Sequence, residues 1–376
     1  MSLSSYRKYF PITSTDIYFN HAAVSPLSTR VVQAIERILQ KRSSGEIELF
    51  HEAVKMKKKL KKSLAALIDG EPDNIAIIGN TSEGFNWLVQ GLEWKKGDRV
   101  LLVENEFPAN IYPFLNLEQQ GVIIDYVPVR DGFIHLEDIE DKIQPRTKLL
   151  SISFVGFLTG CRNRLIDIGR ICQKNNILFS VDSIQGVGAL PLSVGQCGID
   201  FLSNGGHKWL MGPQGCGFMY ISPSIFDKLK PAFTGWLSVK DSWNFFDYRL
   251  DFLDDARRFE IATSNILGIY GLAASADLLL EAGTENIEKH LIGLGNYLIE
   301  KLSERGYNYI GSNDLKERSG IYSFTCQDVK ESFDHLQKNK VHLSLRNDVL
   351  RFSPHFYNTT EEIDRVIEIL KVRSGK

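Results

Sequence analysis

Between Ile75 and Ile221 short apolar runs alternate with helical stretches, and this alternation constrains the fold more than any other feature of the chain. The runs are Ile75–Ile78, Arg99–Val103, Val122–Val127, Leu149–Val155, Ile177–Val181, Phe201–Ser203 and Gly217–Ile221. Helical patterns over Phe85–Leu92, Asn110–Gln120 and Leu165–Asn175 separate several of them. Strands joined by crossover helices run mostly parallel, with helices on both faces. The expected fold class is therefore α/β, with a mostly parallel sheet in a large domain. Ligands on such sheets sit beyond the carboxyl ends of the strands. Thr81, Phe107, Asp182 and Lys208 each follow an expected strand, which assigns all four to one rim.

Two amphipathic segments precede the sheet, at about Thr29–Lys41 and Phe50–Leu67. The second carries Lys55, Lys57, Lys58, Lys59, Lys61 and Lys62, read as a solvated face or, alternatively, as a docking site for an acidic partner. After the sheet comes an irregular stretch rich in aromatics, including Trp236, Trp243, Phe246 and Tyr248. A long apolar helix over Ile266–Ala282 then leads to a smaller α+β unit, Glu285–Lys376. Helices are expected there near 285–304 and 328–338, strands near 321–325 and 349–352, and a closing helix over Thr360–Lys371.

Net charge is −2, so no strong field points to nucleic acid or an anionic membrane. No run of 18 apolar residues occurs and the N-terminus lacks the apolar core of a signal peptide, which leads us to expect a cytoplasmic protein without a membrane span. The cysteines stand at 161, 172, 197, 216 and 326, odd in number and without a CxxC pair. That pattern predicts reduced thiols rather than a disulfide frame or a metal site.

The stretch from Val181 to Gly217 carries the chemistry. Asp182 ends one apolar run, and Lys208 follows another, about one crossover later. A lysine amine can form a Schiff base with the aldehyde of pyridoxal phosphate (PLP), while a carboxylate pairs with the pyridinium nitrogen. Gly205 and Gly206 let the backbone near Lys208 pass close to a ligand. Asp182 also fits a helix N-cap, and Lys208 alone would fit a solvated surface; the pair is what favours the cofactor. Gln185, one turn on, suits the cofactor's phenolic oxygen or the imine, or a polar helix surface. Thr81 and Ser82 open a helix, where backbone N–H groups, hydroxyls and the dipole favour a phosphate. His207 can reach the same phosphate or be structural.

Several stretches together resemble the class V aminotransferase group of fold type I PLP enzymes, which includes cysteine desulfurases, selenocysteine lyases, kynureninases and isopenicillin N epimerase-like proteins. They are Tyr18–Ala23, Thr81–Gly84, Val181–Gly186, Gly206–Pro213, Arg258–Thr263 and Arg351–Thr359. The resemblance implies a large PLP domain over 29–265, a linking helix over 266–284, and a small domain formed by 285–376 with the N-terminal segment 1–28. It also implies a homodimer with active sites at its interface. Thr263 would reach the cofactor phosphate of the neighbouring protomer. Arg351 would hold the substrate α-carboxylate, and His21 is a second expected substrate contact. There are departures. Phe107-Pro108 stands where desulfurases stack a histidine on the cofactor, and no cysteine lies between Val341 and Asp348, where they carry their catalytic thiol. Cys326 is too far upstream for that role. Gly205 replaces a phosphate-binding serine, so Ser203 or Asn204 is expected to remake the contact, and Phe157 lies near the place of an asparagine.

The resulting expectation is an aminotransferase acting at Cα of an amino acid through Lys208, with a keto acid as second substrate. The alternatives are an epimerase, a C–S or selenocysteine lyase, and a non-catalytic binding protein of the same fold. An epimerase needs a second acid, for which His21, His342 and Tyr248 are candidates. Arg162, Arg249, Arg257 and Arg346 are candidates for a distal substrate carboxylate.

Overall fold

The computed structural model describes residues 3–373. The chain opens with β1 (Ile17–Tyr18), α1 (Thr29–Ser44) and α2 (Phe50–Ile68). The large sheet follows as β2 (Ile75–Ile78), β3 (Arg99–Val103), β4 (Ile123–Val127), β5 (Thr147–Ser153), β6 (Leu178–Asp182), β7 (Phe201–Gly205) and β8 (Gly217–Ile221), with α3 (Thr81–Gly91) after β2. The spatial order is β2-β8-β7-β6-β5-β3-β4. The pairs β3–β4, β3–β5, β5–β6 and β6–β7 are parallel, as the alternation predicts. β8 is antiparallel to both β7 and β2. The β7–β8 connection contains no crossover helix, so the chain returns directly to the neighbouring position, and Lys208 sits in that return.

Helices seal both faces. One core packs Leu101, Ile152, Val181 and Leu202 with Trp209, Leu272 and Leu279. The other packs Val100, Leu102 and Leu149 with Phe85, Phe114 and Phe201. Gly84 in α3 lies so near β7 that a Cβ built there would come 2.2 Å from Ser203 Oγ, which brings the start of α3 onto the sheet. The helix expected over Asn110–Gln120 is only one α-turn, Tyr112–Leu115, flanked by tighter turns at Pro108–Asn110 and Asn116–Gln120. Pro113 fits only the first turn of a helix, where no N–H is needed.

The C-terminal part contains β9 (Asn308–Tyr309), β10 (Tyr322–Thr325), β11 (Val341–His342), β12 (Ser344–Arg346) and β13 (Val349–Phe352). Four of these form an antiparallel sheet in the order β12-β13-β10-β9. β1 joins β11 in parallel, pairing Ile17 with Val341. Ile17 and Phe19 thereby enter a third core with Leu294, Phe324, Phe352 and Ile363.

The lysines of α2 are not simply a solvated face. Lys57 and Lys61 lie 2.6 and 2.9 Å from Glu260, and Lys59 lies 2.5 Å from Asp277. These bonds use part of the basic face to clamp α2 onto the 256–282 segment. No single helix among the described residues is long and apolar enough to cross a membrane.

Candidate active site

A cavity of about 490 Å³ opens at the carboxyl ends of the strands, within the usual range for small-molecule sites. Thr81, Phe107, Asp182, His207, Lys208 and Arg351 all line it. Four of these stretches follow strands of the large sheet that run in the same direction and so end on one rim, while Arg351 comes to it from β13 of the C-terminal sheet.

Lys208 is held by its surroundings rather than by its own chemistry. The Ser25 hydroxyl donates to the Lys208 carbonyl at 2.5 Å, and Ser25 N–H donates to the His207 carbonyl at 2.9 Å. His355 accepts at Nδ1 from Phe356 N–H (2.8 Å), so its proton sits on Nε2, which donates to the Trp209 carbonyl at 3.1 Å. Ser275 donates to the Leu210 carbonyl at 2.6 Å. Three distant segments thus fix the loop that carries the lysine. Ser25, Ser275 and His355 were not singled out from sequence, where a buried Ser or His gives no local signal.

Burial lowers the Lys208 pKa to about 8; the Asp182 charge opposes this, and Arg351 and Arg346 add to it. Its Nζ lies 5.3 Å from the centre of the Phe107 ring. Asp182 is buried, which raises its pKa, with Glu106 acting in the same direction and Lys208 against it. Its Oδ1 accepts from Ile184 N–H at 2.9 Å, which fixes the carboxylate at the strand end. Glu106 is a participant that the sequence did not reveal. It accepts from Phe107 N–H (2.8 Å), Ser153 N–H (2.9 Å) and the Ser153 hydroxyl (2.8 Å). Those bonds anchor the residue immediately before the Phe107 ring. The Glu104-x-Glu106 spacing was the available clue.

The residues present fit PLP. Thr81 Oγ1 is buried at the start of α3 and has no partner, so a donor stands ready where a helix start favours phosphate. At Gly205 a Cβ would lie 3.2 Å from that oxygen and 3.2 Å from His207 Cε1, so the glycine leaves the space open. Ser82 and His207 border the same space. Burial and the Lys208 charge lower the His207 pKa.

Some expected contacts are corrected. Ser203 does not remake the phosphate contact, because its hydroxyl donates to the Thr81 carbonyl at 2.9 Å beneath α3. Asn204 is buried but absent from the cavity lining; in a strand, alternate residues face opposite sides. Gln185 borders the cavity, yet its amide nitrogen donates to the Ala22 carbonyl (3.0 Å) and its oxygen accepts from Trp209 Nε1 (2.9 Å). It braces the N-terminal segment against the lysine loop. His21 is not a substrate contact within this chain. Its ring is fully buried, with Nδ1 2.8 Å from the Ser353 carbonyl and Nε2 2.7 Å from the Tyr357 hydroxyl. Burial pushes its pKa well down, and its neighbours Ala22 and Ala23 line the cavity instead. Thr263 is exposed and lines a different cavity with Lys57 and Trp243, outside the Lys208 cavity of its own chain.

The candidate second acids are likewise elsewhere. His342 Nε2 lies 2.6 Å from Asp16 Oδ2, and Tyr248 is 91 % exposed in the aromatic segment. Arg351 is where the sequence placed it. One Nη donates to the Phe157 carbonyl at 2.6 Å, the other lies 3.4 Å from Ser344 Oγ, and Nε has no partner. The Phe157 ring meets the Phe107 ring edge-on, with centres 5.5 Å apart. No cysteine lines the cavity. Cys161, Cys172, Cys197 and Cys216 are buried, and burial raises each thiol pKa to between about 11 and about 12. Cys326 Sγ is 3.9 Å from Ser332 Oγ and packs against the third core.

Known proteins are similar to this chain in sequence and fold. The sequence profile of the family Aminotransferase class-V matches residues 17–366. A protein named "Probable cysteine desulfurase" from Pyrococcus abyssi is 30% identical over 388 residues, covering 97% of this chain and 96% of its own. A second of that name, from Methanothermobacter thermautotrophicus, is 29% identical and covers 100% of this chain and 99% of its own. Among solved structures, the apo cysteine desulfurase from Thermococcus onnurineus NA1 superposes with a TM-score of 0.90 at 26% identity, covering 99% of this chain and 98% of that one. The Lys208 cavity and the profile agree: this chain is a PLP-dependent protein of the class-V aminotransferase family.

Proposed function

We propose that the protein is a C–S lyase that acts on S-substituted cysteines by β-elimination, without passing sulfur to a thiol of its own. The observation that carries this reading is a cavity with Lys208, Asp182 and Arg351 in place and no cysteine in its lining. Relatives named as cysteine desulfurases support a sulfur amino acid as substrate, in preference to the transamination favoured from sequence. Epimerisation has less support, since none of its three candidate second acids lines the cavity.

PLP, when bound, supplies an electron sink for the bond to Cα. Arg351 binds the α-carboxylate, a task for which its paired N–H groups are suited, and so orients Cα–H. Lys208, its amine made available by burial, takes the Cα proton. The Cα–H and Cβ–S bonds break, the sulfur leaves with the C–S electron pair, and a proton returns to it. Water then hydrolyses the unsaturated amine to pyruvate and ammonium, so no oxidant is required. Asp182 would pair with the ring nitrogen of the bound cofactor, and Phe107 would offer it an aromatic face. The reading includes a homodimer in which Thr263 serves the partner's site; a fully active monomer in sedimentation would remove that part.

The test is a product balance on S-propylcysteine. Pyruvate, ammonium and propanethiol should form in equal amounts, without a keto-acid acceptor. Cys326→Ser should keep the rate within about twofold, because its thiol packs against a core rather than the cavity. Alanine as product, with a persulfide on the protein, would overturn the reading in favour of a desulfurase. Turnover only with added keto acid would overturn it in favour of transamination.

A further inference from the structure

Four arginines were candidates for a distal substrate carboxylate, and the structure separates them. Arg162 pairs with Glu288, Arg249 with Asp247 and Arg257 with Asp255, each within 2.6 Å. Arg346 borders the Lys208 cavity, and among the described residues it has no carboxylate within 4.0 Å.

Its position follows from the hairpin it belongs to. Asn347 and Asp348 have φ values of 46° and 59°, both in the left-handed region that a two-residue hairpin turn needs. That turn sets the register: Arg346 pairs with Val349 and Ser344 with Arg351. Residues two apart share a face of a strand, so Arg346, Ser344 and Arg351 lie on one face. The 3.4 Å approach of Ser344 Oγ to the Arg351 guanidinium agrees with this. Diagonal neighbours on such a pair have Cα atoms roughly 7–8 Å apart. Two guanidinium groups thus border one cavity, one buried and one exposed at the hairpin tip. Like charges held together repel, and a ligand anion between or beside them removes that penalty. Burial and the Arg346 charge lower the Arg351 pKa to about 10, in keeping with two cations that face the same space.

We infer that Arg346 is a specificity residue that binds a second carboxylate on the leaving group, so that the preferred substrate is a thioether of cysteine with a short carboxyalkyl arm. This rests on the C–S lyase reading. A substrate of that kind places one carboxylate on Arg351 and the other on Arg346, with the Cβ–S bond between them. Arg346 is exposed, so its contribution is smaller than that of the buried clamp.

The experiment compares S-(2-carboxyethyl)cysteine with S-propylcysteine on the holoenzyme, following thiol release. The ratio of their kcat/KM values should fall about tenfold in Arg346→Gln, through KM, and recover in part in Arg346→Lys. An unchanged ratio, or a loss confined to kcat, overturns the inference. Calorimetric titration with glutarate and butyrate supplies a readout independent of turnover. The holoenzyme should prefer glutarate, and Arg346→Gln should lose that preference; equal binding of both by the unaltered protein overturns the inference. If neither thioether yields pyruvate, the lyase reading fails, while the titration still decides the role of Arg346.

Discussion

Lys208→Ala should lower turnover by about 10⁴-fold or more, and the variant should no longer retain cofactor after borohydride reduction. The expectation follows from two roles in one side chain. In the proposed mechanism the amine is both the covalent anchor for PLP and the base that takes the Cα proton, and loss of a positioned base alone costs about 10²- to 10⁴-fold. The loop itself should survive, because Ser25, Ser275 and His355 hold its carbonyl groups and none of them contacts the ammonium. A circular dichroism spectrum like that of the parent, together with lost activity, is the predicted pair of results. The direction of the Lys208 shift gives a pH test on the cofactor-free protein. An amine is nucleophilic only when neutral, and burial lowers this pKa to about 8 from an ordinary 10.5. Acylation of Lys208, followed by peptide mass spectrometry, should therefore rise with pH to a midpoint near 8, while surface lysines continue to gain reactivity toward 10.5. A midpoint for Lys208 no lower than that of the surface lysines would contradict its placement, and a fully active alanine variant would sink the mechanism.

Arg351→Gln should lower kcat/KM by roughly 100- to 1000-fold, the usual cost of truncating one partner of a buried, hydrogen-bonded charge pair. Arg351 is 2 % exposed, so a substrate carboxylate beside it is shielded from water that could replace the lost bonds. Lysine should be a poor substitute, since it offers a point charge instead of a planar fork. A smaller structural effect accompanies the change. The Phe157 carbonyl loses its donor, at a cost of about 1–3 kcal/mol if water does not replace it. Steady-state rates and a denaturant melt separate the two effects. A loss in kcat/KM of less than about tenfold would mean that the carboxylate is bound elsewhere.

The two arginines also show why the site was only partly legible in the sequence. Arg351 was identified through the long motif around it, whereas Arg346 stood equal to Arg162, Arg249 and Arg257. Those three turned out to be bound to Glu288, Asp247 and Asp255. Only the spatial pairing distinguishes an occupied guanidinium from one that faces a cavity. The same limit affected His21, whose motif suggested a substrate contact but whose nitrogens both lock the N-terminal segment to the 353–357 stretch. Gln185 was likewise assigned to the cofactor, and its amide spans Ala22 and Trp209.

By itself the sequence determined the α/β class and the strand positions of the large sheet, because alternation of short strands and helices permits few topologies. Residue type at the strand ends singled out Asp182 and Lys208, which the structure places at the ends of the neighbouring strands β6 and β7. The sequence determined equally that no cysteine stands between Val341 and Asp348. Tertiary structure alone decided which polar groups remain free: Thr81 Oγ1 unpartnered at the start of α3, Ser203 consumed beneath it, Glu106 anchored beside Asp182, and Arg346 facing the cavity. The physical reason is that a side chain's chemistry depends on what remains of its hydrogen bonds and charge partners after folding. Those partners come from segments far apart in sequence, as β1 with β11 and Ser25 with Lys208 demonstrate.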